Sequence, residues 1–395
     1  MISRTSQKSE GGTAASVQWP AAAGSDSKPH YHILDGLRGV AALTVVCFHL
    51  FEAYATSHVD QIINHGYLAV DFFFVLSGFV VGYAYDDRWQ RGLTVRGFMG
   101  RRLIRLHPMV VMGAVIGVAT FGLQGCAAWD VTGVTTLALI VATLMSACLL
   151  PAPTWMEVRG LGEMYPLNGP SWSLFFEYIG NIAYALVLRR LSTRALAILT
   201  AVMGAGLAVF AIAGPLGDIC VGFAMTPNDM SGGLLRLFFA FPAGLLMARI
   251  FRPTKRAKGA FWLGAAVIVA VAAMPRLGGY DHLWMNGIYD TLCVVAIFPL
   301  IVWIGASGRT TDGFSTRVCN FLGDISYPLY MVHYPFIYIY YAWVKNEELT
   351  FVESLPGAAA LVVGSVILAW GCLKFYDMPV RQWLTRKMAG RKQSA

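Results

Sequence analysis

Apolar residues gather into stretches at about 33–51, 66–85, 103–122, 133–150, 171–188, 195–214, 231–250, 259–275, 286–306, 321–343 and 356–375, separated by polar or charged links. Stretches of this length suit α-helices crossing a hydrocarbon core, and none alternates with the period of a strand. Eleven crossings would leave Arg189, Arg190 and Arg194, and also the cluster from Arg249 to Lys258, on the side opposite Arg88, Arg91, Arg96 and Arg101. That breaks the rule that cytoplasmic loops collect Lys and Arg. Treating 133–150 as a re-entrant or interfacial segment leaves ten crossings and brings most of the 30 Lys and Arg to one side. The loops 52–65, 123–132 and 215–230 then face outward and carry none. The expected fold class is an all-α polytopic membrane protein with about ten transmembrane helices plus one re-entrant or interfacial apolar segment. It is expected in the inner (cytoplasmic) membrane with both termini cytosolic.

Composition agrees with that reading. Hydrophobic residues make up 56% of the chain and charged ones 13%, and mean hydropathy is +0.57, too apolar for a soluble domain of this length. The net charge of +8 belongs to cytoplasmic loops, so no nucleic-acid partner is expected. Residues 1–31 are polar and rich in Ser, Gly and Ala, without the charged start and short apolar core of a cleaved signal. They are expected to be a disordered cytosolic tail, with 33–51 as an uncleaved anchor. The bulk, 32–384, is one membrane domain with its main external excursion at 151–170, and 385–395 is a basic cytosolic tail. The seven cysteines, at 47, 126, 148, 220, 293, 319 and 372, have no spacing of a zinc site or disulfide framework. Cys126 and Cys220 both fall in outer loops where oxidation could join them. His58, His65 and Asp60 stand at no recognised ligand spacing, and no metal is expected.

Ionisable residues within apolar segments are costly and mark function more often than chance. Arg38 and His49 lie eleven residues apart on the first segment, about three helical turns and 16 Å, so they share one face at different depths. Asp35, Arg38, Arg101, Arg102, Arg105, Asp324, Ser326 and Tyr327 fall in a cytoplasmic layer. His49, Asp71, Glu177, Arg236 and His333 fall nearer the outer face. Depth alone does not choose which carboxylate meets His49, and Asp71 is equally suited to pair with Arg236. Trp172 suits an interfacial belt and Ser173 a helix cap. His333 reads as structural, Arg101 as a topology anchor, and Gly78 and Gly82 as sites of close helix packing.

These residues carry a family resemblance. Arg38 and His49 match an Arg, ten residues, His pattern, and Leu68-Ala69-Val70-Asp71-Phe72-Phe73-Phe74-Val75-Leu76-Ser77-Gly78-Phe79 resembles a Gly-Val-Asp-Phe-Phe-Phe-Val-Leu-Ser-Gly-Phe signature with Ala69 in place of Gly. Arg102 and Arg105 form an Arg-x-x-Arg pattern before Pro108, followed by Trp172-Ser173-Leu174 with Glu177, and by Ile325-Ser326-Tyr327-Pro328-Leu329-Tyr330 with His333. Asp377-Met378-Pro379 stands where Glu-x-Pro is usual. Together they resemble the membrane acyltransferase 3 family of O-acyltransferases over about residues 32–384.

The resemblance implies transfer of an acyl group, acetyl by default, from cytosolic acyl-CoA to a hydroxyl of a carbohydrate or glycosylated acceptor. Acyl-CoA carries phosphates at one end and a thioester on a long arm. Arg38, Arg102 and Arg105 are the candidate phosphate ligands, and His49 the candidate base. Asp71 or Glu177 would orient its imidazole, while Trp172, Ser173, Tyr327 and His333 would line the substrate. An acyl-histidine intermediate is the alternative chemistry. The competing class is a transporter or flippase of a glycan or acyl carrier, but the chain has no internal repeat of the kind such proteins often carry. The acceptor's identity and the oligomeric state are not written in these residues.

Overall fold

The computed structural model describes residues 30–57, 59–251, 258–310 and 312–393. The polar tail as far as residue 29, His58 of the metal reading, and Arg252, Lys255 and Arg256 of the basic loop lie outside the described residues. From Tyr31 onward the chain is helical, and the described residues contain no strand beyond two isolated bridges, Cys126 with Trp129 and Glu163 with Ala224.

Fourteen α-helices are described: α1 His32–Phe51, α2 Ala69–Gln90, α3 Val95–Thr120, α4 Thr136–Ala147, α5 Ser171–Leu186, α6 Thr193–Ala213, α7 Pro227–Ile250, α8 Ala260–Ala273, α9 Trp284–Leu292, α10 Phe298–Ser307, α11 Gly313–Val332, α12 Tyr334–Asn346, α13 Phe351–Cys372 and α14 Met378–Gln393. The α9 and α10 helices join through a π-turn at Cys293–Ile297, and α13 joins α14 through another at Leu373–Asp377. Residues 385–393 are therefore part of a helix. Among the described residues, seven stretches are long and apolar enough to cross a membrane: His32–Tyr54, Gly66–Gln90, Val95–Leu123, Thr193–Ala213, Pro227–Ile250, Trp284–Ser307 and Phe351–Gly390. The chain is an all-α polytopic membrane protein. The ten-crossing pattern also counts α5, α8 and α11, which are shorter or more polar than these seven. The α4 helix has 12 residues and reaches about 18 Å, short of a bilayer core of about 30 Å.

The apolar segment expected at 321–343 is broken at His333, between α11 and α12. Pro335 has no N–H for the carbonyl four residues earlier. That carbonyl, on Met331, instead accepts from Asn168 Nδ2 at 2.9 Å.

Two helix pairs position the polar residues. The α2 and α7 backbones touch where a Cβ on Gly78 would meet the Phe241 carbonyl and one on Gly244 would meet that of Val75. The α1 and α11 helices approach equally closely, with Gly36 against Cys319, Gly39 against Leu322 and Gly323 against Asp35. From Gly36 against Cys319, through Arg38 on Ser326, to His49 on His333, the contacts advance along both helices, so α1 and α11 run parallel. All seven cysteines are free, Cys126 and Cys220 included.

Candidate active site

Arg38 projects from α1 across the glycine contact and donates to Ser326 Oγ at 2.8 Å and to the Gly323 carbonyl at 3.1 Å. It also pairs with Asp35 at 2.9 Å. Arg102 and Arg105, three residues apart, share a face of α3, whose start is capped by the Thr94 hydroxyl accepting from the Gly97 amide. Arg102 donates to Glu177 Oε1 at 2.6 Å, and Ser77 Oγ donates to the same oxygen at 2.8 Å. Arg105 makes no ion pair or hydrogen bond among the described residues.

These three arginines line one cavity of about 160 Å³, together with Ser77, Ser173, Glu177, Ser326, Tyr327 and Tyr330. Apolar walls come from Val70, Phe73, Phe74, Leu76, Val80, Leu106 and Leu174. Asp35 pairs with Arg38 and Glu177 with Arg102. Three guanidiniums and one carboxylate line the cavity, which therefore suits an anion with an apolar tail.

His49 is not among the residues lining the cavity. Between the two stand Phe73 and Tyr330, packed edge to face at 5.6 Å, then His333, 6.0 Å from Tyr330. His333 stacks on His49 with centroids 5.6 Å apart and planes at 29°. His49 Nδ1 donates to Glu52 Oε1 at 2.7 Å, which leaves Nε2 as the nitrogen with a free lone pair. The imidazole side chain is 16% exposed and the Glu52 side chain 30%. Tyr334 packs its ring edge on His49 at 4.6 Å, and its hydroxyl lies 3.5 Å from Glu52 Oε2.

Asp71 and Glu177, the carboxylates expected beside His49, sit elsewhere. Asp71 faces Arg236 with both oxygens, at 2.7 to 3.2 Å, and both side chains are 0% exposed. The close approach of α2 and α7 at glycine delivers that pair. Glu177 faces the cavity with Arg102. Trp172 stands away from the cavity, its ring 5.1 Å from the Arg236 guanidinium. Ser173 does not cap α5; its hydroxyl donates to the Pro170 carbonyl and meets the Tyr330 hydroxyl at 2.7 Å. Tyr327 lines the cavity and donates to the Leu106 carbonyl. Sequence reasoning missed Glu52 because it follows the apolar stretch, yet its place three residues after His49 puts it on the same helical face. Ser326 held a place in the cytoplasmic layer but was given no contact with Arg38.

A family model described as an acyltransferase domain matches residues 31–374. The chain belongs to the acyltransferase 3 family. A relative from Streptomyces mycarofaciens named acyltransferase MdmB is 26% identical over 371 residues, covering 85% of this chain and 86% of that one. A Rhizobium radiobacter protein named protein 2 in the picA locus is 33% identical over 174 residues, 41% of this chain and 84% of its own. A protein named as an O-acetyltransferase from Staphylococcus aureus is 23% identical over 78% of this chain, which spans 51% of the staphylococcal length. No solved structure matches the chain. This acyltransferase 3 protein is an acyltransferase enzyme of the membrane.

A second buried cluster lies in the excursion between α4 and α5. The Tyr338 hydroxyl donates to Glu163, and the Arg159 guanidinium lies 3.9 Å from the same carboxylate and 3.5 Å from the centre of the Tyr338 ring. Burial pushes the Glu163 carboxyl up to about 7, with Arg159 opposing. The folded protein then holds a proton that the unfolded chain releases at the ordinary value of 4.5. Stability contributed by this group is therefore expected to be full below pH 4.5, to fall as pH rises toward 7, and to level off above it. Thermal unfolding in detergent across that window should show the slope, and Glu163→Gln should flatten it.

Proposed function

We propose that the protein is an O-acyltransferase of the cytoplasmic membrane, with its arginine end toward the cytosol. It moves an acyl group, acetyl by default, from acyl-CoA to a hydroxyl of a carbohydrate or glycosylated acceptor. The observation that carries this reading is Arg105, an unpaired guanidinium set between Arg38 and Arg102 in one cavity. Donor phosphates answer that charge, and the flexible arm carries the thioester past Phe73 and Tyr330 toward His49. The acceptor hydroxyl gives its proton to His49 Nε2 as its oxygen attacks the thioester carbonyl. Collapse of the tetrahedral intermediate breaks the carbon–sulfur bond, and the imidazolium returns the proton to the departing thiolate. Glu52 fixes the tautomer and steadies the charged ring. An acylated His49 is the alternative route, and rapid-quench labelling without acceptor distinguishes the two.

Arg105→Ala is expected to weaken binding of acetyl-CoA by roughly tenfold or more, since a hydrogen bond to a charged group contributes about 1.5–3 kcal/mol. Titration calorimetry on detergent-purified protein checks it; unchanged affinity would remove the central support. The break at His333 is the feature that favours a transporter, because discontinuous helices line many transport sites. Acyl transfer lost in His49→Ala but kept in His282→Ala, a change at an exposed residue between α8 and α9, favours the enzyme, whereas substrate flux in proteoliposomes with no covalent product favours transport.

A further inference from the structure

His333 is 0% exposed, and its two ring nitrogens have opposite fates. Nδ1 lies 3.0 Å from the Leu329 carbonyl, which can only accept, so Nδ1 carries the hydrogen. Nε2 is then a bare lone pair, buried and without a hydrogen-bond partner. A buried acceptor left unmade is costly, and native proteins keep few of them. This one stacks on the proposed base, whose Nδ1 is likewise occupied, by Glu52. Two imidazoles thus sit a ring stack apart, each with Nδ1–H committed and Nε2 free to accept.

We infer that His333 Nε2 is the receptor for a second hydroxyl of the acceptor, so that the substrate is a vicinal diol: one hydroxyl reacts at His49 and its neighbour donates to His333. This rests on the acyltransferase reading above. A single hydroxyl has one hydrogen and cannot serve both nitrogens. Two adjacent hydroxyls, with hydrogen bonds of about 2.8 Å at each end, can bridge rings with centroids 5.6 Å apart. The rings of Tyr330, Tyr334 and His49 enclose His333, so the diol enters when one of them moves. The Tyr334 hydroxyl makes only a long contact of 3.5 Å, to Glu52, while its ring packs edge to face on His49 and Tyr338.

The experiment uses the full chain in detergent with acetyl-CoA as donor. Its acceptors are methyl pyranosides, each offered intact and deoxygenated at the carbon next to the acylated one. In the wild type, removing the neighbouring hydroxyl should lower kcat/KM by about tenfold, the worth of one neutral hydrogen bond with its partner stranded. In His333→Phe the intact sugar should fall to the level of the deoxy sugar and the difference vanish, with acetyl-CoA affinity unchanged. His333→Gln, which restores an accepting oxygen, should recover part of the discrimination and guards against a folding defect in the phenylalanine variant. A deoxy penalty of equal size in wild type and His333→Phe overturns the inference while leaving the acyltransferase reading intact. Loss of acetyl-CoA affinity in His333→Phe also overturns it, since the lone pair would then serve a donor amide. Absence of transfer to every pyranoside sinks the carbohydrate reading itself and this inference with it.

Discussion

His49→Ala is expected to lower kcat for acyl transfer by about 10²–10⁴-fold, the usual range for a positioned general base. Affinity for acetyl-CoA should stay within a factor of about two, because Arg38, Arg102 and Arg105 line a cavity that His49 does not touch. The separation of the two effects is the informative part. A substitution that weakened both together would mean that His49 holds the fold or the donor. Glu52→Gln should show a smaller fall, about 10–100-fold, as is common when the partner of a working side chain is altered. The amide can still accept from Nδ1, but it no longer stabilises the imidazolium. Steady-state kinetics with calorimetry on the same preparations checks both.

Arg236→Met is expected to destabilise the protein by about 3–5 kcal/mol, enough to deplete the folded form. Removing one partner of a fully buried ion pair leaves the other charge without an answer. Here Arg236 also donates to the Val221 carbonyl at 2.7 Å and to that of Tyr67 at 2.9 Å, so three acceptors lose their donor at once. Asp71→Asn should cost less, since an amide oxygen can still accept. The double change Asp71→Leu with Arg236→Met should recover part of the loss. Detergent-solubilised thermal unfolding followed by size-exclusion fluorescence reads the order of these variants. The same series separates structure from chemistry at Asp71. If Asp71 serves Arg236, the folded fraction of Asp71→Asn transfers acyl groups at close to the wild-type rate. A folded but inactive Asp71→Asn would give that carboxylate back to the reaction.

The sequence made the helices legible because membrane-spanning segments announce themselves by length and apolarity, and the rule of charged loops singled out 133–150, where α4 is indeed too short to cross. The three arginines were also legible as a layer. What a layer cannot tell is which partner each charged group takes. Asp71 and His49 share a depth, yet Asp71 goes to Arg236 because Gly78 and Gly244 draw α2 against α7, a contact between residues more than 150 positions apart. Glu52 escapes a reading by apolar stretches for the opposite reason: its link to His49 is local, but it lies just past the stretch, at the start of the loop 52–65. The interruption at His333 had a visible signal in Pro335, which a hydropathy window averages away.

The parallel packing of α1 on α11 makes the distance between the cation cavity and the imidazoles a property of helix rise. Changes in the connecting loops leave that gauge untouched. Adding a single residue to α1 between Arg38 and His49 would advance His49 by about 1.5 Å and swing it by about 100°, off the stack with His333 and out of register with the donor arm. Inserting three or four residues there nearly restores the azimuth but adds about 5 Å of length. The fold therefore tolerates much variation at its rims and almost none in the count of residues along this one stretch of helix.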